Sequence, residues 1–286
     1  RSLAAILFLL LRGLSAGITL FAPALILSTI LHWPVSLTTV LIGTLVIIYV
    51  VSCGSSAVNL TQRYQLSIIM GGMILGGILA FNLLPDGVSF SDSVSIAGEL
   101  GKFNLINLEF NFKDRYNIWS GLIAGGVLQL SYFGTDQSQV ARYLGGTSAT
   151  ESRLGLMFNG LLKIPMQFII LFIGVLVYVF YLFNQPPVFH NEVLSERAKA
   201  TEQGVVLESL EREYNALYAE KRNAVDDLVV AIHDKDAKAI ETSRNKVLDL
   251  GKDEGKLRDS VKVTIAKALP NAKTQDRDYI FLNFVL

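Results

Sequence analysis

Gln129, Tyr132 and Phe133 stand at i, i+3 and i+4 in an apolar stretch. A helix there carries an amide, a phenol hydroxyl and an aromatic ring on one face. In a second apolar stretch Lys163 has Asn159 and Gln167 one turn to either side, a polar stripe along an apolar helix. Hydrocarbon gives none of these groups a hydrogen-bond partner, so each must meet protein, water or a polar solute. Lys163 lies about nine residues into its span, roughly 14 Å from the start and near the middle of a core about 30 Å thick. A charge there costs at least ~2.5–3.5 kcal/mol unless a partner or a wet cavity receives it. These side chains suit recognition of a solute. Nothing in the sequence supports catalysis: it has no nucleophile elbow and no phosphate-binding glycine loop, and His32, His190 and His233 are isolated. The chain is read as no enzyme.

The elements that must position these residues are membrane helices. The chain has 286 residues, 51% of them hydrophobic, and no net charge. The average hides two unlike parts, since Glu192 to Asp278 holds 18 of the 25 acidic and 16 of the 25 basic residues. The rest forms apolar runs at about 2–31, 37–51, 66–84, 118–133 and 154–183, each expected to be a transmembrane helix. Residues 1–184 thus read as a membrane part and 185–278 as a water-soluble insert. Residues 279–286 read as the start of a further span, so the chain reads as part of a longer protein. In the insert, Leu207, Leu210, Tyr214, Leu217, Val225, Leu228 and Ile232 follow three-and-four spacing, and Leu257, Val261, Ile265 and Leu269 repeat at four. That pattern predicts amphipathic helices folded as a coiled-coil-like hairpin. Arg63, Arg142 and Arg153 place the 54–65 and 134–153 connections in the cytoplasm and the insert outside. Balanced charge argues against nucleic acid as a partner. One cysteine, Cys53, excludes an internal disulfide.

The stretch Gly134, Asp136-Gln137, Val140, Arg142 and Leu144, followed by Leu162-Lys163-Ile164-Pro165, resembles the sodium/solute symporter family. Gly54-Ser55-Ser56-Ala57-Val58 with Thr61 and Gln65 is similar to a second connection of that family, with Cys53 and Gln62 in place of its glycine and aspartate. The resemblance implies an all-α, multi-pass cell-membrane protein with a five-plus-five inverted-repeat core. The spans here would be core helices three to seven plus the start of eight. It implies sodium as coupling ion, held by helices one and eight, so no sodium ligand is assigned in this chain. By position it implies a substrate site at Gln129, Tyr132, Phe133 and Lys163, with Tyr132 also an inner gate. Asp136, Gln137 and Arg142 would be a structural motif of the moving loop. The expected function is sodium-coupled import of a small polar solute by alternating access, with a sugar or sugar acid first. The alternatives are an amino acid or organic acid as substrate, or a transporter-like membrane sensor. Besides solute and lipid bilayer, the expected partner is an envelope protein or a second copy bound through 191–275.

Overall fold

A computed structural model describes residues 2–285 except 32, 86, 105–107, 112–116, 137–138, 141–147, 271 and 273, with backbone alone at 53–60 and 63. Every regular element among these residues is helical. The long helices are α1 (Ser2–Leu31), α2 (Val35–Asn82), α4 (Ile118–Gly134), α5 (Ala149–Phe183), α7 (Gly204–Asp234) and α8 (Ala237–Ala268). Shorter ones are α3 (Phe90–Glu99), α6 (Glu192–Lys199) and α9 (Ile280–Val285), the last entered through a 3-10 turn at Arg277–Tyr279. Residues 1–74 and 75–286 make two compact units.

In the first unit, α1 and the start of α2 form a hairpin around a buried threonine. Thr38 is fully buried, and its hydroxyl lies 3.1 Å from the carbonyl of Ala24 and 2.9 Å from that of Val35. Ser28 closes the turn by donating to the Trp33 carbonyl at 2.5 Å. Nearly all other side chains of α1 are exposed and apolar, a surface that lipid or neighbouring helices would cover.

Among the described residues, four segments are long and apolar enough to cross a membrane: Ser2–Leu31, Val35–Ser52, Tyr64–Asn82 and Ala149–Phe183. Two differences from the sequence expectation follow. Helix α4 begins and ends where a span was expected but has 17 residues, about 25 Å of rise, and falls short of the usual length. The polar stretch 54–65, expected as a connection, is helical, so α2 counts 48 residues. That is about 72 Å of rise against a ~30 Å core, so a straight helix cannot lay both of its apolar runs across one bilayer.

In the second unit the insert is built as its periodicity predicts. Helices α7 and α8 pair along Leu207, Tyr214, Val225 and Leu228 against Val247, Leu257, Val261 and Ile265, all buried. Lys235 ends α7 in the left-handed conformation (φ 56°), and Asp236 caps α8 by accepting from the N–H groups of Lys238 and Ala239. The hairpin does not stand apart. Val179, Leu182 and Phe183 of α5 and Ile96, Ala97 and Leu100 of the α3 region share its core. Ser89 and Asp92 form a capping box that starts α3. His233 then pairs with Asp92 at 3.0 Å, and Arg244 with Glu99 at 3.7 Å. The loop helix α3 and the insert therefore pack as one body at the end of α5.

Candidate functional site

Helix α5 carries the charged candidate, and its surroundings set the depth of that charge. The last turns of α5 leave the apolar environment: Lys102 Nζ sits 4.1 Å from the Tyr178 ring centroid and Arg222 Cζ 4.5 Å from that of Phe183. Just below them, Phe172 meets Phe90 and Phe103 at 5.7 and 6.5 Å, and Phe90 meets Phe81 at 5.9 Å. A cluster of phenylalanine rings thus lies one to two turns before the cations at the end of α5. Nineteen residues back from Phe172 is Arg153, about 28 Å away along the helix and a charge suited to a boundary. Lys163 falls midway, about 14 Å from either end.

Asn159, Lys163 and Gln167 are all exposed, and no hydrogen bond or ion pair joins Lys163 to another of the described residues. Two positions past Lys163, Pro165 lies inside α5. Its ring removes the N–H that would meet the Leu161 carbonyl, on the side of α5 away from the polar stripe.

On α4, Gln129, Tyr132 and Phe133 are exposed, and no residue of that helix is buried. The Tyr132 and Phe133 rings touch edge to face at 5.1 Å. The helix starts at Asn117, which forms a capping box with Ser120. It ends at Ser131, whose carbonyl accepts from the N–H groups of Thr135 and Asp136, both at 3.1 Å, and from the Thr135 hydroxyl at 2.8 Å. The Asp136 carbonyl in turn accepts from the N–H groups of Gln139 and Val140 at 3.0 and 2.9 Å, so its backbone organises the turn after α4. Gln137 and Arg142 lie outside the described residues. No contact joins the α4 candidates to Lys163 among the described residues.

No group of three His, Cys, Asp or Glu able to hold a metal ion occurs among the described residues. A hard cation needs a cage of oxygen ligands, and nothing described here supplies one built on acidic side chains. The histidines have other roles. His190 is buried and its backbone N–H donates to Asp276, while His233 pairs with Asp92.

No protein-family model matches the chain, and no solved structure matches it. Three relatives define what it is similar to. It is 26% identical over 170 residues to the human sodium/iodide cotransporter and 29% identical over 154 residues to human sodium-coupled monocarboxylate transporter 1. It is 25% identical over 181 residues to a protein of Drosophila melanogaster named as a sodium-dependent multivitamin transporter. These alignments cover 59%, 54% and 63% of this chain but only 26%, 25% and 30% of the relatives. The chain thus spans about a quarter of the length of the curated relatives it matches. Its similarity is to sodium/solute symporters, and sodium is the one ion common to all three names. None of the three names a sugar.

Proposed function

We propose that this chain is the middle part of a sodium-coupled transporter that imports a small anionic solute, a carboxylate first, by alternating access in the cell membrane. Its core is the five-plus-five inverted repeat, in which solute sites lie near the bilayer midplane. One observation carries the reading: an ammonium group at mid-membrane, in a polar stripe, without a partner among the described residues. A carboxylate offers Lys163 a charge-assisted hydrogen bond that offsets the cost of its position. Gln129 contributes an amide to the same solute, Phe133 an apolar wall and Tyr132 a ring that closes the cytoplasmic side. Relatives named for iodide and for monocarboxylates favour an anion over the neutral sugar expected first. Sugar acids remain within the proposed class. Sodium is the coupling ion, and no step is assigned to it through residues of this chain.

The test is uptake into liposomes by the full-length protein under a sodium gradient, with lactate, iodide, a sugar acid and glucose as labelled solutes. Sodium-dependent lactate or sugar-acid uptake that falls at least about tenfold in Lys163→Met, and is partly kept in Lys163→Arg, supports the reading. Uptake that survives both Lys163→Ala and Tyr132→Ala removes the assigned roles. Transport of glucose alone removes the anion.

A further inference from the structure

Helices α5 and α9 meet directly. The Phe180 and Phe284 rings lie 5.1 Å apart edge to face, and the Tyr181 hydroxyl reaches the Ile280 carbonyl at 3.4 Å. A short turn would join two such spans. The chain instead builds α6, α7 and α8 before returning to α9 through Asp276, and that return is held by charge.

Asp276 is 1% exposed. Its carboxylate accepts from the backbone N–H of His190 at 3.1 Å, from Arg258 at 3.2 Å and from Lys262 at 3.2 Å. Those donors come from the link after α5 and from α8. Arg258 also faces Glu254 at 3.9 Å, and Glu254 takes the buried Lys221 of α7 at 2.5 Å. The Tyr214 hydroxyl lies 3.1 Å from the Pro186 carbonyl and 3.5 Å from Glu254, and the Tyr218 hydroxyl donates to the Leu182 carbonyl at 3.3 Å. On the α9 side, the Asn283 amide donates to the His190 carbonyl at 3.0 Å. A continuous polar chain therefore runs from the exit of α5, through α7 and α8, to the entrance of α9.

We infer that the insert is a strap across the outer ends of α5 and α9 and that the Asp276 carboxylate is its clasp. A buried carboxylate with three donors is satisfied in one arrangement only. Drawn out of reach, it leaves Lys262 without a counter-charge and Arg258 with Glu254 alone. Such a junction has two states, closed or fully parted, where an apolar contact would slide. The closed strap holds the outer ends of two consecutive spans at one spacing, and its release lets α9 part from α5. The consequence for transport rests on the alternating-access reading above, whereas the strap itself does not.

Hydrogen exchange of the full-length protein in lipid nanodiscs tests it. Asp276→Asn accelerates exchange across 277–285 about tenfold or more and leaves 207–228 protected. Lys252→Ala, which breaks only the exposed pair with Asp249, changes neither segment. Unchanged exchange at 277–285 in Asp276→Asn overturns the clasp. Should that variant loosen α7 as well, Lys262→Met decides, because it removes one donor at the rim and leaves the hairpin core intact. Faster exchange at 277–285 then supports the clasp, and unchanged exchange overturns it. Sodium-driven uptake by the same unmutated preparation is read separately. Its absence sinks the carrier reading without touching the exchange result.

Discussion

His190 sits 2% exposed between the α5 exit and Asp276, and burial, with Arg258 beside it, pushes its imidazole down to about 4. The folded protein therefore resists the proton that the unfolded chain accepts near 6.5. Stability from this group is complete above about pH 6.5 and falls as pH drops toward 4, by about 2 kcal/mol at pH 5. Exchange at 188–191, corrected for its intrinsic pH dependence, should be roughly thirtyfold faster at pH 5 than at pH 7. His190→Gln should flatten that dependence, and an equal slope in both proteins would remove the assignment. The pair Lys221–Glu254 makes a second residue-scale prediction. Lys221→Met leaves Glu254 only its longer contacts to Arg258 and Tyr214 and should cost about 2 kcal/mol in thermal unfolding, whereas Lys221→Met with Glu254→Leu should recover most of it. Of these residues the sequence announced few. Lys163 and the Gln129–Tyr132 face stood out because a polar group in an apolar run has no ordinary reason to be there. Asp276 sits between Gln275 and Arg277 in a charged stretch, where a buried carboxylate looks like any solvated one. Only the fold, which brings α8 and the His190 link to it, distinguishes it.

At the level of elements, period and punctuation carried most of the information. The three-and-four spacing of α7 and the four-residue repeat of α8 placed both helices. Glycine and proline set the edges of the apolar runs. Two features were not legible. The last turns of α5 read as membrane because Val175 to Phe183 is apolar, yet Val179, Leu182 and Phe183 are buried by the hairpin and by α3. Apolar sequence does not distinguish lipid from a protein core as its cover. The polarity of 54–65 predicted a break, but polar residues keep helical backbone well enough when nothing in the sequence forbids it. Two turn substitutions test how tightly the hairpin is specified. Lys235 carries a left-handed backbone that costs a side-chain residue about 1 kcal/mol, so Lys235→Gly should raise the melting temperature by a few degrees. Gly204 opens α7 with its Cα against the preceding turn, where an added Cβ would overlap the Lys199 carbonyl oxygen. Gly204→Ala should therefore lower the melting temperature, and circular dichroism of the full-length protein in micelles reads both changes.

Within the second unit, α3 and the α7–α8 hairpin pack together at the C-terminal end of α5, and Ala149 begins its other end. The contacts of Asp92 with His233 and of Ile96 with Leu228 and Val247 fix the first half. The second half follows from length. Between Arg153 and Phe172, α5 rises about 28 Å, one crossing, so Thr150 and Tyr178 end on opposite sides. That arrangement requires the strap and the ring cluster at Phe81, Phe90, Phe103 and Phe172 to face one aqueous phase. It also requires the start of α5 at Ala149 to face the other. A solute held by Lys163 would then have water on both sides, which alternating access demands. In a Cys53→Ser background, single cysteines at Glu99, Lys252 and Thr150 report the sides directly. Glu99→Cys and Lys252→Cys should react with a membrane-impermeant maleimide on intact cells, and Thr150→Cys only after permeabilisation. Labelling of Thr150→Cys together with Lys252→Cys on intact cells would put both ends of α5 in one compartment. The midplane position of Lys163, and the anion site built on it, would then have no basis.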